Sequence, residues 1–143
     1  MNDNREGIAA PGWFTLAAIS AVLWEVAGCA LYLMRVTTDA ASLPADQQAI
    51  FQATPGWVLA AFAVAVWIGL AGAVLLLLRR RFAEPLLLVS LAALIIQNSA
   101  LVLDPGLRNL VASDDLLVPF VVIVISYGFW HLARVANKQG WLR

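Results

Sequence analysis

The sequence predicts an all-α membrane protein, a bundle of four transmembrane helices with both termini in the cytoplasm and a short interfacial helix in the first outer loop. Composition, four long apolar runs and an uneven distribution of Lys and Arg carry that prediction. Of the 143 residues, 62% are hydrophobic and 13% are charged, against about half and about a quarter in soluble domains. A bilayer is therefore the expected solvent. A formal net charge of zero, with the basic residues scattered, argues against a nucleic-acid partner. One Cys and one His leave no material for a disulfide framework or a metal cluster.

The hydrocarbon core takes about 20 helical residues to cross. Four runs of that order lack Lys, Arg and Asp: residues 13–34, 57–78, 86–103 and 116–133, all within one domain over residues 1–143. Turn-forming pairs bound them, with Pro11-Gly12 before the first, Pro55-Gly56 before the second, Glu84-Pro85 before the third and Asp104-Pro105-Gly106 closing it. Pro119 falls in the first turn of the fourth, where its missing amide proton costs little. The stretch Pro44 to Thr54 sets Ile50 and Phe51 among polar neighbours and predicts a short helix on the outer membrane surface.

Arg5, Arg79, Arg80, Arg81, Arg134, Lys138 and Arg143 fall on one side of this topology, and Arg35 and Arg108 on the other. Seven against two places the termini and the second connection in the cytoplasm, because inward loops retain basic residues. Val26-Ala27-Gly28-Cys29 fits a lipoprotein cleavage pattern. Glu25 just before it, and the absence of a net positive leader, argue for an uncleaved first helix.

Glu25 is the informative residue, because an acid at mid-bilayer costs about 3 kcal/mol on insertion. Eight Leu, Ile, Val and Phe residues in the same run offset that at about 0.3 to 0.6 kcal/mol each. At about 1.5 Å per residue, Gln97 on the third run falls at the depth of Glu25, and Ser126 and Tyr127 on the fourth lie near it. Glu25 shares a face with Ala17, Ala21, Gly28 and Tyr32, and Gln97 shares one with Ser90, Ala93, Ala100 and Asp104, which favours Gln97 over its neighbour Asn98 as the inward residue. Ala61, Ala65, Gly69 and Ala73 recur every four residues on the second run and predict a helix-packing seam. No Lys or Arg shares the depth of Glu25, so Glu25 is expected to be compensated by donating a hydrogen bond to Gln97 or Tyr127. The candidate ligand or proton site is thus Glu25, Gln97, Asn98 and Tyr127; a register-fixing polar clasp is the structural alternative.

Leu23-Trp24, Gly28-Cys29, Tyr32-Leu33, Ala53-Thr54-Pro55, Trp57-Val58, Ala61-Phe62-Ala63 and Leu77-Leu78-Arg79-Arg80 together resemble a group of small four-helix bacterial membrane proteins of uncharacterised function. These often carry the label "sugar transporter", and the resemblance reaches the Gly140-Trp141 ending. It implies the four-helix fold and an inner-membrane location, and the label suggests a sugar-like cargo. The small multidrug exporters are similar in layout only, since their short connections contrast with the long first outer loop here.

Transport by so small a chain requires an oligomer, for which the seam at Ala61 to Ala73 is one candidate surface. The alternative is an accessory or scaffold subunit bound to another membrane protein. No metal-ligand set, phosphate-binding loop or nucleophile beside a His appears, so neither an enzyme nor a cofactor is expected.

The topology is checked with reporter fusions. Alkaline phosphatase, whose disulfides form only outside the cytoplasm, is expected to be active when inserted between Gln47 and Gln48 and inactive when fused after Arg143. The reverse pattern would invert the assignment.

Overall fold

Residues 9–143 are described in the computed structural model of the chain; Arg5, counted above among the topology charges, lies outside them. Six α-helices follow in order: α1 (Gly12–Thr37), α2 (Ala45–Ala53), α3 (Gly56–Leu77), α4 (Ala83–Leu103), α5 (Pro105–Leu110) and α6 (Leu117–Lys138). Among the described residues there is no strand, and four helices are long and apolar enough to cross a membrane: α1, α3, α4 and α6.

Proline sets most of the starts. Pro11, Pro44 and Pro55 occupy the N-cap positions of α1, α2 and α3 with extended ψ, so each helix begins on the next residue. The helices also continue past their apolar runs, because backbone hydrogen bonding does not stop at a charge. α1 proceeds through Arg35 to Thr37, and α6 continues five residues beyond Ala133 to Lys138. α4 begins at Ala83, which leaves Pro85 inside its first turn, where no helical amide bond is lost. The helix α5 has no counterpart in the sequence reading. Asp104-Pro105-Gly106 closes α4, and the same residues start a new helix. The Asp104 carboxylate accepts from the Gly106 and Leu107 amides at 2.9 and 3.2 Å, and Pro105 stands in the first turn.

The spanning helices pack in the order α1, α3, α4, α6, with α3 held between α1 and α4 and with α6 packed on α4. The seam residues Ala65, Gly69 and Ala73 are buried and Ala61 is partly buried. Their role is packing within the chain. The surface suggested above for oligomerisation is therefore covered by α1 and α4, because small side chains draw the nearest helices together first. At Gly72 the approach is tightest against backbone: a β-carbon there would lie 3.1 Å from the Leu87 amide nitrogen and 2.9 Å from Leu87 Cγ.

The end of the bundle that carries both termini is a solid core. Phe14, Leu76, Leu87 and Leu142 interlock with Ala18, Ala83, Ala133 and Ala136. The last residues of the chain are tied in as an extra strut. The Arg143 amide donates to the Arg79 carbonyl at 2.7 Å, the Arg81 amide donates to the Arg143 carbonyl at 2.9 Å, and Trp141 meets Trp13 and Phe14 edge to face. Arg79 adopts φ 57°, the left-handed turn that ends α3 and directs the chain into α4.

Gly72→Ala is expected to lower the unfolding free energy in detergent by about 1 to 3 kcal/mol, the cost of overpacking against backbone. Gly56→Ala, where nothing lies within 4 Å, should change it by less than about 0.5 kcal/mol. Parallel unfolding titrations measure both, and equal effects would contradict the close α3–α4 contact.

Candidate functional site

Glu25 sits on the inward face of α1 with Phe14, Ala18, Ala21 and Cys29, one helical step round from the stripe expected through Ala17 and Gly28. Only 6% of its surface is exposed. The opposite wall is Gly69 of α3. A β-carbon at that position would lie 2.7 Å from Glu25 Cδ, 2.7 Å from Ser90 Oγ of α4 and against Glu25 Oε2. Glycine is what lets the acid from α1 and the hydroxyl from α4 converge over α3.

Two hydrogen bonds brace that level. Ser90 Oγ donates to the Ala65 carbonyl at 2.6 Å and Cys29 Sγ donates to the Val66 carbonyl at 3.5 Å, so α3 is clasped from both sides at adjacent carbonyls. Neither bond involves Glu25, and among the described residues no hydrogen bond joins its carboxyl to a protein group.

Beside this level a cavity of about 310 Å³ opens between the helices, at the small end of the range for ligand pockets. Its polar lining is Glu25, Ser90, Gln97, Asn98 and Ser126, and no basic side chain lines it. Trp24, Phe62, Val66 and Leu94 supply apolar walls. Gln97 Oε1 is buried without a hydrogen-bond partner, and Asn98 Nδ2 is committed to the Leu94 carbonyl at 2.8 Å. A second cavity of about 220 Å³ shares Phe62, Gln97 and Asn98 with the first and ends at Arg35. There the Arg35 guanidinium lies 3.7 Å from the centroid of the Phe51 ring on α2.

Glu25, Gln97 and Asn98 thus line one cavity, and Tyr127 does not. Tyr127 is 51% exposed and stacks on His131 with ring centroids 6.0 Å apart. The face of α6 that meets the cavity is Val118, Val122 and Ser126, and one further residue turns the side chain about 100° away. The depth match between Glu25 and Gln97 also shifts. Ser90, not Gln97, stands level with Glu25, and Gln97 lies seven residues farther along α4, about 10 Å. Counting from Trp13 and Leu86 assumed that the two helices start in one plane. Instead Glu25 and Ser90 converge on Gly69, so α4 is displaced along the bundle relative to α1 by about those seven residues. Ser90 was legible as a member of the inward stripe; its partner, a backbone carbonyl of α3, has no sequence signal.

No family model matches the chain, and no curated protein or solved structure shows significant similarity to it.

Interhelical bonds in membranes average about 0.6 kcal/mol and reach about 1.7. Ser90→Ala is expected to cost within that span, whereas Ser20→Ala, which removes only a bond to its own helix at Leu16, should be neutral. Unfolding in detergent distinguishes them; a neutral Ser90→Ala would remove the clasp.

Proposed function

We propose that the chain is a multi-pass inner-membrane protein, with both termini cytoplasmic, that binds a small molecule in the cavity at Glu25 and serves as the transport unit of an oligomer. The observation that supports this most directly is the cavity itself, which joins a buried acid and an unpartnered amide oxygen inside otherwise apolar walls. Intramembrane acids facing a protein cavity usually mark a substrate or ion path. The bundle is solid at the end with the termini and hollow toward the other end, the asymmetry of a site open to one side. Passage to the far side requires the core around Phe14, Leu76 and Leu142 to part, and a second copy flanking α6 would supply the surface against which it parts. The sugar-like cargo is suggested by the resemblance noted above.

A second reading, an accessory subunit of a membrane complex, is favoured by one observation. α6 packs chiefly on α4, joining the other helices only in the terminal core, and its outward face presents Phe120, Val121, Val124 and Tyr127.

A thermal-stability screen of purified protein against sugars, amines and lipids decides between them. A ligand at about 100 times its Kd adds about 2.7 kcal/mol of stability, so a compound that raises the melting temperature of the wild type but not of Glu25→Gln is the expected result. A wild type insensitive to every compound, together with one constant foreign partner in crosslinked native membranes, would favour the subunit.

A further inference from the structure

The donors nearest Glu25 are already committed within the protein. The Ser90 hydroxyl proton goes to the Ala65 carbonyl, the Asn98 amide protons are directed to the Leu94 carbonyl, and the Cys29 thiol beside Glu25 is directed to the Val66 carbonyl. At the level of Glu25 what remains for a guest is the Glu25 carboxyl and the lone pairs of Ser90 Oγ; farther along the cavity lie Gln97, whose Oε1 is buried and unpartnered, and the Ser126 hydroxyl. At the Glu25 level a guest that brings hydrogen-bond donors satisfies the groups present. The charge inventory points the same way. Glu25 is the one ionisable group of the lining. Around it, α3 presents Gly69, Ala65 and Val66, α4 presents Ser90, and α6 presents Ser126, none of them charged. The nearest basic residue along α1 is Arg35, ten positions on, about 15 Å.

We infer that the ligand of this cavity is a primary organic ammonium with an apolar body, its NH3 group on Glu25 and Ser90 and its body against Trp24, Phe62, Val66 and Leu94. This rests on the cavity being a ligand site and departs from the sugar-like cargo. A sugar carries hydroxyls all around its ring, and the apolar walls of Trp24, Phe62, Val66 and Leu94 would leave part of them unpaired at a cost. The ammonium pairs with the carboxylate in a low-dielectric setting, where charge-assisted bonds are strong. Arg35 under the Phe51 ring repels a cation at the outer end of the second cavity, so the ligand reaches Glu25 from the membrane side, past Val118 and Val122 of α6.

The test is calorimetric titration of the full chain in lipid nanodiscs, with empty nanodiscs subtracted. The probes are benzylammonium, benzyltrimethylammonium, benzyl alcohol and glucose. Benzylammonium is expected to bind most tightly. Benzyltrimethylammonium, which keeps the charge and loses the N–H donors, should bind several-fold more weakly, and benzyl alcohol and glucose more weakly still. Glu25→Gln should weaken benzylammonium at least tenfold, as loss of a charge-assisted bond does, while leaving benzyl alcohol unchanged. Ser90→Ala, which removes the second acceptor and leaves Glu25 in place, should weaken benzylammonium several-fold and serves if Glu25→Gln fails to fold. Ser126→Phe, which fills the cavity, should abolish binding of every probe. Glucose or benzyl alcohol binding as tightly as benzylammonium, with sensitivity to Ser126→Phe retained, would overturn the ammonium assignment and leave the ligand site standing. No heat from any probe on the wild type would overturn both.

Discussion

An acid buried in a four-helix bundle must be shielded from lipid by protein that comes very close to it, and here that contact is made at Gly69. Any side chain at this position would collide with both Glu25 and Ser90. The rest of the arrangement follows from that approach. α3 lies between α1 and α4 because the small residues Ala65, Gly69, Gly72 and Ala73 present a flat surface to both, and in a bilayer close van der Waals contact drives association where the hydrophobic effect cannot. Once α1 and α4 are both seated on α3, Cys29 and Ser90 reach the carbonyls of Val66 and Ala65, and the three helices are fixed in register. α6 then packs chiefly on α4 and joins the other helices only in the terminal core. The gap left between α1 and α6 becomes the cavity.

The difference between the two halves of the bundle has the same origin. Toward the termini, large side chains meet alanines, with Phe14, Leu76, Leu87 and Leu142 filling the space left by Ala18, Ala83, Ala133 and Ala136. The tail residues Trp141 to Arg143 close what the helices leave open. Beyond Glu25 that complement fails. α1 offers Ala27 and Gly28, and α6 offers Pro119 and Val122. Neither pair is large enough to bridge the distance, and short apolar chains at this point leave a void whose polar groups come mainly from α1 and α4, with Ser126 from α6. The cavity is thus a consequence of side-chain volume rather than of any irregularity in the helices.

The four spanning segments were legible because crossing a bilayer is a one-dimensional requirement of length and polarity, which a sequence displays directly. Their phases were nearly legible. Ala21 and Glu25, Ser90 and Ala93, and Ala65 to Ala73 all face inward as their spacing implied. The error on α1 was a single step, with Cys29 and Ala18 inward of Gly28 and Ala17, since alanine and cysteine pack as well as glycine. Vertical register was not legible. It depends on how far each helix protrudes past its neighbours, and the meeting of Glu25 and Ser90 over Gly69 is a three-dimensional fact. The same ignorance selected Tyr127 over Ser126, because a polar aromatic near the midplane reads as inward until the face of α6 is set by Val118 and Val122. The short α5 was hidden by Asp104-Pro105-Gly106, a signal with the same letters for stopping one helix and starting another.

The geometry also separates two roles that a mid-membrane polar residue can play. A polar group retained to fix register bonds to its neighbours, as an unpaired one would be costly and would specify nothing. Here that work is divided. Ser90 and Cys29 make the interhelical bonds to α3, both to backbone carbonyls that no substitution on α3 can remove. Glu25 makes none, although Ser90 Oγ and Glu25 Cδ are both within 2.7 Å of one point on α3. Gln97 makes none through Oε1 either. If the polar layer were only a clasp, its strongest acceptor would be its best-bonded member. It is instead the member turned to the cavity, where the cost of burying it, about 3 kcal/mol on insertion, is left for something other than the bundle to offset.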